Sequence, residues 1–161
     1  MRGAIIGAIR AGGARLAALP PSVILALGWL VFVAYAYPGL MTKDSFDQLA
    51  QARSGFYFDD HPPAMAAIWA ITDWFVVGSF GMLIVQSVVF LAGLQLVLRR
   101  AMRARTAALS ACAILMCPPV LAPMAVIWKD CLMAAFLMLG TPAKTPVPRE
   151  DTSAGLLSIW K

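Results

Sequence analysis

The chain has 161 residues, 61% of them hydrophobic and 13% charged, with a mean hydropathy of +0.78 and a formal net charge of +5. Soluble domains run at about 45–50% apolar and about 25% charged, so both departures point toward a bilayer. The positive charge does not signal nucleic acid. Arg2, Arg10 and Arg15 precede the first apolar run, and Arg99, Arg100, Arg103 and Arg105 lie between two later ones, the distribution that sets membrane topology.

Residues 1–22 are basic and rich in Ala and Gly, with Ile5, Ile6, Ile9 and Leu16 in a weak amphipathic pattern, and suit a cytoplasmic or interfacial N-terminus. Pro20 and Pro21 punctuate, and Ser22 is the expected N-cap of the next helix. Residues 23–37 carry no charge, and the preceding turn from Leu16 extends them to the roughly 20 residues that a bilayer requires. Tyr35 and Tyr37 sit at the exit, where a membrane interface favours aromatics. A cleaved signal peptide competes with a retained span, since Ala34-Tyr35-Ala36 resembles a cleavage site; the long basic segment and the later apolar runs weigh against it.

Residues 38–63 form a polar segment between apolar runs. It holds four of the eight carboxylates, Asp44, Asp47, Asp59 and Asp60, and the only histidine, His61. Leu40, Met41, Phe46 and Leu49 can pack, so an ordered loop at a membrane face is expected rather than disorder. Residues 64–77 follow as an apolar helix of about 21 Å, short of the ~30 Å hydrocarbon core and carrying Asp73. Gly78 to Gly81 breaks it, and residues 82–98 are an uncharged run. Keeping both arginine clusters on one side requires one interfacial or re-entrant helix followed by one true span. Residues 99–105 are then the cytoplasmic turn, and 106–127 a further span kinked by Pro118, Pro119 and Pro123. Trp128-Lys129-Asp130 emerges on the same side as the Asp44 loop. Residues 131–140 begin another apolar run, the start of a fourth span that stops too soon to cross. From Thr141 the composition turns Pro-, Thr- and charge-rich, an atypical tail expected to be disordered or frame-shifted. The predicted architecture is all-α: a multi-pass transmembrane helical bundle of about three full spans, a juxtamembrane helix and a truncated fourth span. Residues 23–140 make up its membrane domain.

Several residues could carry chemistry. With Thr42 as N-cap of a short helix over 43–53, Asp44 and Asp47 share one face near its positive end. A carboxylate there can serve as a general base or hold a divalent cation, and equally can be a capping acid in a solvated loop. Asp59-Asp60-His61-Pro62-Pro63 offers phosphate or metal recruitment, or a cap with prolines that set the direction of the next helix. Lys129 and Arg53 are cations able to neutralise a lipid-linked phosphate; a mutually paired Lys129–Asp130 is the structural alternative. The three cysteines, Cys112, Cys117 and Cys131, lie in or beside apolar runs without metal-ligand spacing and are expected to pack.

The order of these parts resembles the N-terminal section of the GT-C class of integral-membrane glycosyltransferases, which take sugars from polyprenyl-phosphate donors. The resemblance rests on Tyr37-Pro38-Gly39 at the end of a first span, Asp44-Ser45 with Asp47-Gln48, Gly55, Asp60-His61-Pro62-Pro63 before a juxtamembrane helix, and Trp128-Lys129-Asp130 at the outer end of a later span. It spans roughly residues 22–140. It implies an inverting glycosyl transfer with Asp44 as catalytic base and Asp47 as second candidate. His61, Lys129, Arg53 and Asp60 would bind donor phosphate, with a divalent cation at Asp44 and Asp47 as an optional cofactor. The implied partners are the lipid bilayer, the polyprenyl-phosphate sugar and an envelope glycan, lipid or protein acceptor. The implied location is a bacterial inner (plasma) membrane with the N-terminus cytoplasmic and the acidic loop extracytoplasmic. Ser45 stands where many members carry a second acid. A non-enzymatic small multi-pass protein or transporter subunit, whose loop binds a partner, is the alternative from another class.

Overall fold

The computed structural model describes residues 19–58 and 63–141, and these are mostly helical. The described elements run α1 (Pro21–Ala36), β1 (Leu40–Met41), α2 (Lys43–Ser54), α3 (Pro63–Phe75), α4 (Phe80–Leu98), α5 (Ala104–Met116), α6 (Pro118–Met124), β2 (Val126–Ile127) and α7 (Lys129–Gly140). The all-α expectation holds. The number of full spans is a finer matter. Only α4 among the described helices is by itself long and apolar enough to cross a bilayer, with α5 and α6 a second only if that bent pair counts as one span.

Helix α4 is the hub. It packs most extensively on α7, then on α5, and also touches α1, α3 and α6. Its 19 residues carry no charge, and Met82, Leu83, Phe90, Leu91 and Leu94 are buried on it, so packing rather than propensity holds the helix. The approach of α7 to α4 depends on Gly93. A Cβ there would lie 2.5 Å from the Leu139 nitrogen, so the missing side chain lets the two backbones meet, as small residues do between packed membrane helices. Helix α1 lies against α5 and joins the core through Phe32 and Ala36, while Trp29 Nε1 donates to Ser87 Oγ at 2.9 Å.

Three expectations need correcting. Pro20, not Ser22, occupies the N-cap position of α1, with Pro21 in the first turn and no side-chain cap; proline's fixed φ suits that turn and it lacks the N–H a cap would satisfy. The run after the arginine cluster is not one kinked helix to Ile127. It stops at Met116, resumes at Pro118 at an angle of 71°, and ends in extended backbone at Val126–Ile127. Cys117 precedes Pro118 and adopts β conformation (φ −68°, ψ 130°), since proline's ring disfavours helix at the residue before it. The last helix begins at Lys129 rather than after Asp130, and it is the main packing partner of α4.

No residue pattern marks the small parallel pairing of β1 with β2, in which Leu40 faces Val126 and Met41 faces Ile127. The Leu40 amide donates to the Ala125 carbonyl at 2.9 Å as the pairing begins. Gly39 leads into it with φ +99°, and a Cβ there would sit 3.0 Å from Ile127 Cδ1, so position 39 requires glycine both for its backbone and for its space.

Candidate functional site

The parallel register brings the acidic segment and the Trp128-Lys129-Asp130 segment side by side. Because Met41 is opposite Ile127, the chain enters α2 on one side and α7 on the other from adjacent strands. Helix α2 starts at a capping box: Ser45 N donates to Thr42 Oγ1 (3.3 Å) and the Thr42 amide to Ser45 Oγ (3.2 Å). Ser45 is buried and its hydroxyl also donates to the Ile127 carbonyl, so a side chain in the first turn of α2 is bonded to the residue just before Trp128. Asp44 lies in that same turn, half-buried, where the helix dipole favours a carboxylate. Asp47 is exposed one turn further on.

Strand β2 is itself held from α4. Gln86 is fully buried, and its Nε2 donates to the Met124 carbonyl at 2.8 Å and the Val126 carbonyl at 2.9 Å. These acceptors lie at and just past the last residue of α6, where helical partners run out. At the other side of the junction Ser79 Oγ donates to the Pro38 carbonyl at 3.0 Å. The start of α4 and its middle therefore fix the two strands independently.

Helix α7 carries Lys129, half-buried, to the head of a groove of about 470 Å³ between α3 and α7. Ala64, Met65 and Ile68 form one wall, and Leu132, Met133, Phe136 and Leu137 the other, with Lys129 and Asp130 as its polar residues. A cleft with long apolar walls and a polar head that carries one cation and one carboxylate is shaped for an amphiphile with a polar end. Among the described residues Lys129 has no ion-pair partner, so the mutual Lys129–Asp130 pairing weighed from sequence is not formed.

No protein-family model, curated protein or solved structure matches this chain.

The predicted site residues divide accordingly. Asp44 and Lys129 lie on adjacent segments, although neither Asp44 nor Asp47 lines the groove. Arg53 does not serve as a spare cation. Its Nε and Nη2 bind both Asp73 oxygens, at 2.8 and 3.0 Å, which closes the end of α2 onto the end of α3. That pair also answers the question of Asp73 in an apolar helix: its carboxylate accepts from Arg53 and from the Gly78 amide at 2.7 Å, and both hold it below the usual carboxylate range, Arg53 the more strongly. Asp59, Asp60 and His61 lie outside the described residues. No group of three metal-ligating side chains gathers among the described residues, so Asp44 and Asp47 have no third ligand there. Cys131 is buried with its thiol 3.2 Å from the Pro123 carbonyl, and Cys112 lies against the Ile24 carbonyl at 3.6 Å, both as packing groups. Sequence reasoning missed Ser45 and Gln86. The signal for Gln86 was available, since a primary amide inside an otherwise apolar helix needs a partner when buried.

Proposed function

We propose that the chain is a membrane protein of multi-pass architecture forming the N-terminal part of a glycosyltransferase that takes its sugar from a polyprenyl-phosphate donor. At 1.5 Å per residue α4 is about 28 Å long, close to the ~30 Å hydrocarbon core, and the arginines at 99, 100, 103 and 105 mark its cytoplasmic end. Its other end then faces the extracytoplasmic side together with α2, α3 and the start of α7. The observation that carries the reading is the β1–β2 junction, which seats the Asp44 turn beside the Lys129-headed apolar groove. In this reading the lipid tail lies between α3 and α7 and its phosphate meets Lys129. Asp44 takes the proton from an acceptor hydroxyl as that oxygen attacks the anomeric carbon and the lipid phosphate departs with the bonding electrons, inverting the configuration. Lys129 offsets the charge that develops on the leaving phosphate.

The second reading, a non-enzymatic membrane protein or transporter subunit, is favoured by one observation: the carboxylates of Asp44 and Asp47 stand outside the groove lining. One experiment separates the two. The full chain and its Asp44→Asn variant are reconstituted in vesicles, and sugar transfer from a polyprenyl-phosphate donor is followed. Loss of a general base lowers the rate by about 10²–10⁴. Lys129→Gln should weaken donor binding and also slow departure of the phosphate, raising KM and lowering kcat together. Transfer by Asp44→Asn at the unmodified rate removes the base assignment, and no transfer by either chain favours the second reading.

A further inference from the structure

Helix α7 borders two clefts. One is the groove against α3; another face of the same helix closes a second cleft, of about 280 Å³, with α4 and α6. At 3.6 residues per turn, Lys129 and Asp130 point about 100° apart, and Lys129 lines only the first cleft while Asp130 lines both. Phe90 of α4, Val120 and Pro123 of α6, and Ala134 of α7 give the second cleft its apolar body. Cys131 joins two of these walls, its buried thiol donating to the Pro123 carbonyl at 3.2 Å. Trp128 and Asp130 are exposed on the same lining. Neither the Trp128 indole N–H nor the Asp130 carboxylate has a hydrogen-bond or ion-pair partner among the described residues.

The chemistry of this lining selects a ligand. Its apolar body takes hydrocarbon, and Asp130 is its one charged residue among the described ones, so a phosphate head would meet a like charge there. The backbone of α6 offers a phosphate few of the donors that a helix start normally supplies. Pro118 and Pro119 open that helix without N–H groups, and Pro123 lacks one too. A hydroxyl suits both polar groups, since it donates to the Asp130 carboxylate and accepts from the Trp128 indole. We infer that the cleft between α4, α6 and α7 binds a neutral lipid with a hydroxylated headgroup, its chain against Phe90 and Ala134 and its head at Trp128 and Asp130. Trp128 directly follows β2, and Ser45 bonds the Asp44 turn to the Ile127 carbonyl, so this head lies at the same junction as the proposed base. The inference rests on the glycosyltransferase reading only in naming this lipid as the acceptor; donor and acceptor then lie on two faces of α7.

Photolabelling of the full chain in phosphatidylcholine vesicles tests it. Two lipids, glucosyl-diacylglycerol and phosphatidic acid, carry the same diazirine in one acyl chain, and the cross-linked peptides are mapped. The expected result is labelling of residues 119–134 by the glucosyl lipid about tenfold above phosphatidic acid. Unlabelled glucosyl-diacylglycerol should compete with it and free glucose should not. Asp130→Asn keeps a hydrogen-bonding side chain but removes the repulsion, so phosphatidic acid should label these residues severalfold more than in the native chain. Ala134→Leu narrows the cleft and should lower labelling there by both lipids while cross-links on α3 persist. Equal labelling of the native chain by the two lipids, or an unchanged ratio in Asp130→Asn, overturns the inference and leaves this cleft in contact with bulk lipid alone. Competition by free glucose overturns it too, because the apolar body would then contribute nothing. Labelling needs no turnover, so a chain that labels as expected but transfers no sugar retains the site and loses the acceptor role.

Discussion

Two clamps hold the acid-bearing segment, one at each end, and they are built on opposite principles. At its start, Thr42, Ser45 and the β1–β2 pairing make a buried junction of neutral hydrogen bonds, with Gln86 behind it. At its far end, Arg53 and Asp73 make an ionic bridge at the surface. The buried clamp fixes register and direction, because each of its donors and acceptors would be orphaned by a shift of one residue. The ionic clamp fixes proximity, and solvent and salt weaken it. The segment is therefore rigid where Asp44 leaves the junction and compliant where α2 meets α3. A base needs a defined position and a lipid groove needs walls that adjust, so this gradient of stiffness suits the proposed chemistry.

The largest effect should come from the neutral clamp's support. Gln86→Leu keeps the volume but removes the donor from one buried and one part-buried carbonyl, at about 1–3 kcal/mol for a buried group left without a partner. Part of that loss is recovered because the Gln86 Oε1 atom already lacks a partner among the described residues. Thermal unfolding in detergent should show a clear loss of stability, and an unchanged midpoint would mean that β2 is held without α4. Ser45→Ala is the next test. It removes one half of the capping box together with the bond to Ile127, and about 1–2 kcal/mol is expected. Hydrogen exchange sharpens the result, since the Leu40 amide should exchange faster in the variant if Ser45 stabilises the pairing. Equal exchange at Leu40 would confine the role of Ser45 to capping α2.

Much of the helical layout was legible in the sequence. Thr42 announces α2, and the observed helix, Lys43–Ser54, runs one residue past the expected stop because Gly55 takes the left-handed C-cap (φ 70°) that glycine adopts freely. The glycine break at Gly78 and the uncharged run of α4 were equally plain. What stayed hidden depends on partners distant in sequence. Two-residue strands have no periodicity to detect, and nothing in Leu40-Met41 or Val126-Ile127 marks them for each other. Arg53 suggested phosphate binding because sequence shows a charge but not that Asp73, 20 positions later, already neutralises it. Ser45 looked like a missing acid and proves to be a tether. For the candidate site, topology implied only a shared side for the Asp44 loop and Trp128-Lys129-Asp130, whereas their link through β1 and β2 and the apolar groove between α3 and α7 depend on packing that sequence does not show.

The smallest effect, and the one that best contrasts the two clamps, belongs to Asp73. Side-chain exposures of 50% for Arg53 and 14% for Asp73 leave the pair in reach of solvent, so Asp73→Asn should cost no more than about 1 kcal/mol, less at high salt. The pH dependence has a definite sign. Arg53, and secondarily the Gly78 amide, hold the folded carboxyl below its unfolded value, so the unfolded chain binds the proton first as pH falls. The stabilisation is then fully present above the ordinary carboxylate pKa of about 4 and fades as pH drops through the folded value. Native chain and Asp73→Asn should accordingly differ in unfolding midpoint at neutral pH and converge in strong acid, while the difference between native chain and Ser45→Ala, which involves no titrating group, persists through the same range. A gap for Asp73→Asn that stays constant down to strong acid would mean that its carboxylate contributes through packing and the Gly78 contact rather than through its charge.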